Sequence, residues 1–373
     1  MFQLVFICSA RSHHSIDWFN SAKNICELPP YILTDSKCSE GFENRFTNVK
    51  NVYDLFIIDR FLFKKYSFIG SIWRNIFKFI SLPLQIYLLK KFSKRHPNSI
   101  YFAHGMYYMW ICHFARVKYV GNPIGSEILV RTYKLFYKFL SILSLKSSLF
   151  IICDSKKMAK RIYKISKKES LIVQNGIEIE LISKISKLKK LKKIRQKKIV
   201  SFRGITSLYR TKEIFLARQT IHSEFPIPIK LIYPFSDESY KKEISPYIKS
   251  IDDDLGTLSK VKLIEEFHKY ILYISIPKSD SSPKSVYECI LSGGIVAATR
   301  EDYFDDLPKS LQNRIIIVDL NDRYWLKKSI NKAIKLSSQE FDITKTNLDL
   351  FDQTQSFKLI YEKIHKVLQD KVK

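Results

Sequence analysis

The sequence predicts two doubly wound α/β domains, each a parallel sheet covered by helices on both faces. Three observations predict it. Short continuous apolar runs rich in β-branched and aromatic residues alternate with stretches of helical period. A length of 373 residues is enough for two domains, each burying its own core. A composition 46% hydrophobic and 14% aromatic is that of a globular chain rather than a disordered one.

The strand candidates of the first half are LVFICSA, YILTD, DLFIID, SIYFAH, KYVGNP and SLFIICDS; those of the second are KIVSF, IPIKLIY, ILYISI, IVAAT and RIIIV. LVFICSA has no basic region before it and only about seven apolar residues, so it reads as a first strand and not a signal peptide. Residues 67–91 are interrupted by Arg74, Lys78 and Pro83, and residues 135–153 by Lys138 and Lys146. Neither is the run of about twenty apolar residues that a membrane span needs. Residues 181–198 form a lysine-rich helical run with no strand, read as a solvated linker. The domains are therefore set at residues 1–178 and 199–354, joined by a linker over 179–198. Residues 355–373 form a final amphipathic helix, with Phe357, Ile360, Ile364, Val367 and Leu368 on one face, available to pack back on the first domain.

With 63 Lys and Arg against 36 Asp and Glu, the chain carries a formal charge of +27. That points to a polyanionic partner, either nucleic acid or an anionic membrane surface. Cys8, Cys26, Cys38, Cys112, Cys153 and Cys289 show no CxxC and no Cys/His ligand spacing, so they read as buried thiols in a reducing, cytoplasmic compartment, with no metal centre. The acidic run at residues 252–254 reads as a solvated turn, and His113, inside a helix, as structural.

The stretch SDSSPKSVYECILSGG holds the most specific chemistry. Asp280 stands eight residues before Glu288, and Gly293 and Gly294 close the segment. The strand ILYISI leads into it. Ser282 suits an N-cap and Pro283 a first helical position, which leaves the amides of Lys284 and Ser285 to an anion at the positive end of the helix dipole. A central diphosphate with hydroxyl-rich groups at both ends satisfies the anion site and both carboxylates, and that describes a nucleotide-sugar. A plain capped helix with incidental acids is the alternative. Five of the ten glycines, Gly125, Gly176, Gly204, Gly293 and Gly294, fall in this and similar loop segments, where positive φ or close backbone approach is expected. Arg203, Arg210 and Lys212 follow the first strand of the second domain, where cations would neutralise a leaving diphosphate. Arg210 or Lys212 taken alone is equally a surface charge.

Together these segments resemble the GT4 type of GT-B glycosyltransferases. Asp280 to Glu288 is similar to the family's donor-binding E-x7-E, followed by its small-Gly step and a strand. SARSHHSIDWFNSA is similar to its first loop and helix, FAHG to its Ala-His strand end, and NPIGSEIL to its Pro-x-Gly-Ser-Asp segment. IVQNGIEI is similar to its Pro-Asn-Gly-Ile-Asp hinge, and SFRGITSLYRTKEI to its Arg-Gly strand and loop. The resemblance implies the GT-B fold, two Rossmann-like domains facing each other across a cleft, and sugar transfer with retention, without metal or cofactor. It implies a donor held by Asp280, Ser282, Lys284, Ser285, Glu288, Arg203, Gly204 and Arg210 or Lys212. The acceptor falls to Ser12, His14, His104, Gly125, Ser126 and Glu127, with Arg203, Glu127 and His104 as catalytic candidates. Two departures stand out. Ile124 occupies the place where many relatives carry a histidine, which turns attention to Glu127, and the first acid is the shorter Asp280, followed by Ser281 instead of glycine.

Residues 71–95 and 129–146 mix aromatics with Lys and Arg, a composition that suits an anionic bilayer surface and a glycan or polyprenyl-linked acceptor at the inner face of the plasma membrane. Core aromatics with solvated lysines are the plain alternative. A nucleic-acid-binding or membrane-surface protein on a non-catalytic scaffold is the competing class, but no helix-turn-helix, RNA-recognition or zinc-finger signature accompanies the charge, and no nucleic-acid partner is expected.

Overall fold

Strands that are apolar at every position must bury both faces, and the chain sets them in two parallel sheets, one in each of two compact units. The computed structural model describes residues 1–9, 13–34, 52–54, 70–177, 180, 181, 183, 184, 187, 195–221, 226–339, 341 and 348–370. Ser12, Cys38 and residues 55–59 of the DLFIID run lie outside them, as does most of the lysine-rich linker.

The first unit, Met1–Glu178 with Gln353–Lys373, begins with β1 (Gln3–Cys8), α1 (His13–Ile25), β2 (Tyr31–Thr34), β3 (Val52–Asp54) and α2 (Gly70–Arg95). It continues with β4 (Ser99–His104), α3 (Met106–Ala115), β5 (Tyr119–Asn122), α4 (Gly125–Leu129), α5 (Leu135–Ser147), β6 (Ile151–Cys153), α6 (Lys156–Ser166) and β7 (Ser170–Ile172). The second unit, Ile179–Asp352, holds β8 (Gln196–Ser201), α7 (Thr211–Gln219), β9 (Ile229–Ile232), α8 (Glu238–Ile244), β10 (Asp253–Gly256), α9 (Lys260–Glu266) and β11 (Tyr270–Ser275). It ends with α10 (Lys284–Leu291), β12 (Val296–Thr299), α11 (Lys309–Gln312), β13 (Ile315–Val318) and α12 (Trp325–Ser337). The chain then returns to the first unit as α13 (Gln353–Gln369).

The first sheet runs β3-β2-β1-β4-β5-β6-β7, and its strands alternate side chains between two cores. Val5, Ile7, Leu33, Tyr101, Ala103 and Ile151 meet the layer of α2, α3, α5 and α6. Leu4, Phe6, Ile32, Ile100, Phe102 and Ile152 meet α1 and the Phe357, Ile360 and Ile364 face of α13. The second sheet runs β10-β9-β8-β11-β12-β13 around a core that includes Ile199, Leu231, Leu272, Ile274, Ala297 and Leu326.

Several expectations are corrected. β7 is too short for a long apolar run and β10 is made of residues that disfavour strands, and cross-strand pairing with β6 and β9 makes strands of both. The lysine-rich stretch is not strand-free to its end, because β8 starts at Gln196. Cys26 is only half-buried, although burial still pushes its thiol up to about 12. The acidic run is no solvated turn. Asp252 is fully buried at its side chain, ion-paired with the equally buried Arg218, and it accepts the N–H groups of Ile229 and Lys249 at 2.8 Å each.

That buried pair gives a stability prediction. Asp252→Ala should leave Arg218 charged and uncompensated, costing about 3–5 kcal/mol in urea denaturation. Combining Arg218→Met with Asp252→Leu should recover most of the loss, because neither partner is then left alone.

Candidate active site

In a doubly wound sheet, ligands enter outside the carboxyl ends of the two strands where the order reverses. The second sheet reverses between β8 and β11, and the first between β1 and β4. The residues singled out in the sequence gather at these two places, one cluster in each unit.

In the second unit, Arg203 stands just beyond β8 and Asp280 just beyond β11. Arg203 Nη2 lies 2.7 Å from Asp280 Oδ2, its Nη1 donates to Ser285 Oγ at 3.2 Å, and its guanidinium sits over the Tyr209 ring at 4.8 Å. Burial works against the guanidinium charge, but Asp280 and Tyr209 outweigh it and raise the pKa further, so Arg203 is a permanent cation. The loop is stitched from both sides. The Asp280 N–H donates to Glu301 Oε1 at 3.2 Å, Arg210 Nη1 donates to the Pro277 carbonyl at 3.2 Å, and the Lys278 N–H donates to the Leu208 carbonyl at 2.8 Å.

Helix α10 opens beside Arg203. The Pro283 carbonyl accepts from Val286 and Tyr287, so Lys284 and Ser285 belong to the first turn, whose N–H groups have no intrahelical acceptor. Pro283, not Ser282, is the N-cap: its backbone is extended, and the Ser282 hydroxyl is instead 3.0 Å from the Tyr287 hydroxyl. One turn on, Glu288 is 2% exposed, with Oε1 3.0 Å from Lys260 Nζ at the start of α9. That oxygen makes no hydrogen bond among the described residues.

Two donor-side candidates behave otherwise than expected. Lys212 Nζ is held by Glu243 of α8 at 2.7 Å, so it is Arg210 that meets the loop carrying Asp280. At Gly204 the Phe235 ring fills the space a Cβ would take, so packing already requires glycine there. Of the five motif glycines, only Gly293 adopts positive φ, at 83°.

In the first unit, His104 ends β4 and is buried, its Nδ1 2.5 Å from Ser15 Oγ on α1. Burial lowers its pKa to about 4, against the pull of nearby Asp17, so the imidazole is neutral near pH 7. Gly105 follows at φ 105°, and the next amide, that of Met106, donates to Glu127 Oε2 at 2.8 Å. The same oxygen accepts from the Ile124 N–H at 3.0 Å. Glu127, expected to act on an acceptor hydroxyl, thus ties the starts of α3 and α4 together. His14 and Ser126 are exposed on their first helical turns, Gly125 is buried, and His113 is 2.8 Å from Ser147 Oγ in a structural contact. Sequence reasoning missed Ser15, Asp17, Lys260 and Glu301. In the first helix it favoured His14, yet the buried phase begins at Ser15 and continues through Phe19. Among the described residues, no group of three or more His, Cys, Asp or Glu could hold a metal ion.

Two parallel sheets, both centred on the 3-2-1-4-5-6 order and each with its polar cluster at the reversal, define the GT-B architecture. No family model matches the chain, and no curated protein matches its sequence. Among solved structures it is similar to Anabaena Alr3699/HepE, crystallised in complex with UDP and glucose, at 13% identity and a TM-score of 0.71, over 98% of this chain and 100% of that one. It is also similar to the trehalose-6-phosphate synthase OtsA, at 12% identity and a TM-score of 0.68, over 98% and 99% of the two chains. The N-terminal domain of Candida albicans trehalose-6-phosphate phosphatase matches at 10% identity and a TM-score of 0.67, over 98% and 96%. The chain has the GT-B fold.

His104 makes a testable pH dependence. Its folded pKa of about 4 lies below the ordinary 6.5, so between these values the unfolded chain takes up a proton that the native state refuses. This contribution is complete above pH 6.5 and is lost as pH falls toward 4, at up to about 1.4 kcal/mol per pH unit. Comparing urea midpoints at pH 7 and pH 4.5 should show a shallower decline for His104→Gln than for the parent chain.

Proposed function

We propose that the protein is a glycosyltransferase of the GT4 type. It moves a sugar from a nucleoside diphosphate to a hydroxyl of a glycan or lipid-linked glycan, with retention, at the inner face of a membrane in cell-surface polysaccharide biosynthesis. The observation that carries this is the Arg203–Asp280–Ser285 cluster at the start of α10, with the buried carboxylate of Glu288 one turn further on. A diphosphate fits the helix end and the arginine together, and a carboxylate beside it accepts hydrogen bonds from ribose hydroxyls. The HepE structures hold UDP or UDP-glucose, which makes uridine diphosphate sugars the first donors to test.

Charge grows on the diphosphate as the glycosidic bond breaks. Arg203, fixed by Asp280, and Arg210, fixed by the Pro277 carbonyl, supply preorganised positive charge there, and the proposal calls for no metal and no cofactor. On the acceptor side, the neutral His104 can accept a proton or orient a hydroxyl, while Glu127 holds the loop around it.

The test is thermal unfolding with UDP, GDP, dTDP and their sugars, followed by turnover with the donor that responds. Nucleotide at a hundredfold excess over its dissociation constant should add about 2.7 kcal/mol of stability, and Glu288→Ala should abolish this rise. Failure of every nucleotide to raise the melting temperature would count against donor binding and favour a non-catalytic scaffold. Arg203→Ala should lower kcat about a hundredfold or more and alter donor KM much less, because the contact strengthens as the leaving group gains charge. A rise in KM alone would move the catalytic charge to Arg210.

A further inference from the structure

Helix α2 is apolar on two opposite faces, and only one of them packs against a core among the described residues of the unit. Phe77, Leu82, Ile86, Leu88, Leu89 and Phe92 pack into the core beneath. At 100° per residue, Ile72, Ile76, Phe79, Ile80, Leu84 and Tyr87 fall on the other side, and each is between 47% and 66% exposed. This stripe is about 22 Å long. The same outer face continues into Lys90, Lys91 and Lys94, all exposed. Helix α5 lies in the same helical layer, on the far side of α3, and repeats the pattern. Leu135, Phe136 and Phe139 are 84%, 65% and 59% exposed, beside Lys134 and Lys138. Lys78, from the same basic-aromatic helix, is not among them: its ammonium lies over the Tyr107 and Tyr108 rings at 4.5 and 5.3 Å.

A water-facing surface seldom carries so many large apolar side chains, and a rim of charge around them selects the occupant. From Arg60 to Cys153 the sole acidic residue is Glu127, and its carboxylate is turned onto backbone amides. The occupant must therefore be apolar at its centre and anionic at its edge. Among the described residues no helix is long and apolar enough to cross a membrane, so what fits is insertion from one side.

We propose that the outer faces of α2 and α5 form a docking surface for an anionic lipid bilayer. The aromatic and aliphatic side chains enter the acyl boundary, and Lys90, Lys91, Lys94, Lys134 and Lys138 rest on the headgroups. The docking deepens the lipid-linked half of the proposed function and rests on it only for the acceptor. Vesicle binding itself needs neither donor nor acceptor.

The experiment is co-sedimentation of the full chain with phosphatidylcholine vesicles, with and without phosphatidylglycerol, at low and high salt. The parent chain should bind the anionic vesicles. Phe79→Ser combined with Phe136→Ser should lower its partition coefficient by about tenfold or more, with a loss that persists at high salt. Lys90→Glu, Lys91→Glu and Lys94→Glu together should erase the preference for anionic lipid. Leu135→Ser, at the most exposed of these positions, provides a second apolar variant. All variants should keep whatever thermal response to UDP the parent shows, which separates failure of the docking surface from failure of donor binding. No binding of the parent chain to anionic vesicles, or unchanged binding by the apolar variants, would overturn the proposal. So would a dimer that these variants dissociate in the absence of any vesicle binding, or a lysine-dependent but phenylalanine-independent shift of an RNA oligomer in its place.

Discussion

A parallel sheet has no face to spare for water, and that constraint organises both units. Strands buried from both sides can carry almost no polar chemistry along their length. Ile271 to Ile276 and Val296 to Ala298 hold only two polar groups on their side chains, the hydroxyls of Tyr273 and Ser275, both on buried residues. Polar function is pushed to the ends, where the strand order reverses and two loops diverge to leave room. Arg203 and Asp280 in one unit and His104 and Ser15 in the other occupy equivalent places because the same sheet order offers only one such opening in each.

The ends are polar but not loose. Nearly every charged group of interest is already committed to a neighbour: Arg203 to Asp280, Arg210 to a carbonyl, Glu127 to two amides. Such groups are preorganised, and their charge is available without the reorganisation that water would demand. Glu288 is committed as well: it is a buried carboxylate whose Oε1 faces the Lys260 ammonium at 3.0 Å, and without that ion pair its desolvated charge would be costly.

Long apolar strands and the helix after Asp280 were legible in the sequence because their signal is local: a run of Ile, Val and Leu, or a Ser-Pro step followed by helical period. β10 was not, because DDLG opposes strand formation and only its neighbour β9 makes it one. Asp252 was misread for a related reason. Three consecutive acids suggest solvent, and what buries one of them is an arginine 34 positions earlier. Within the sites, residues inside a motif were found and those brought in from other elements were not. Lys260, Glu301 and Asp17 carry no mark in the sequence that distinguishes them from surface charges, and their positions follow from packing. Gly204 and Lys212 were named by position in a pattern, and nothing in that pattern marked their neighbours, the Phe235 ring and Glu243.

Helix α13 makes the first unit discontinuous in the chain. Phe6 and Phe357 stack at 6.1 Å although nearly the whole sequence separates them, and Trp18 and Phe102 meet the same ring at 6.1 and 6.2 Å. On a translating ribosome, one side of the first sheet therefore emerges early and waits, its aromatic floor uncovered, while all of the second unit is synthesised. Closure comes only once α13 has followed the whole second unit, and so long a loop makes this contact slow to form. Until then the nascent chain carries an open apolar face, and the interval in which a chaperone has something to hold is set by the length of the second unit rather than by the folding rate of the first.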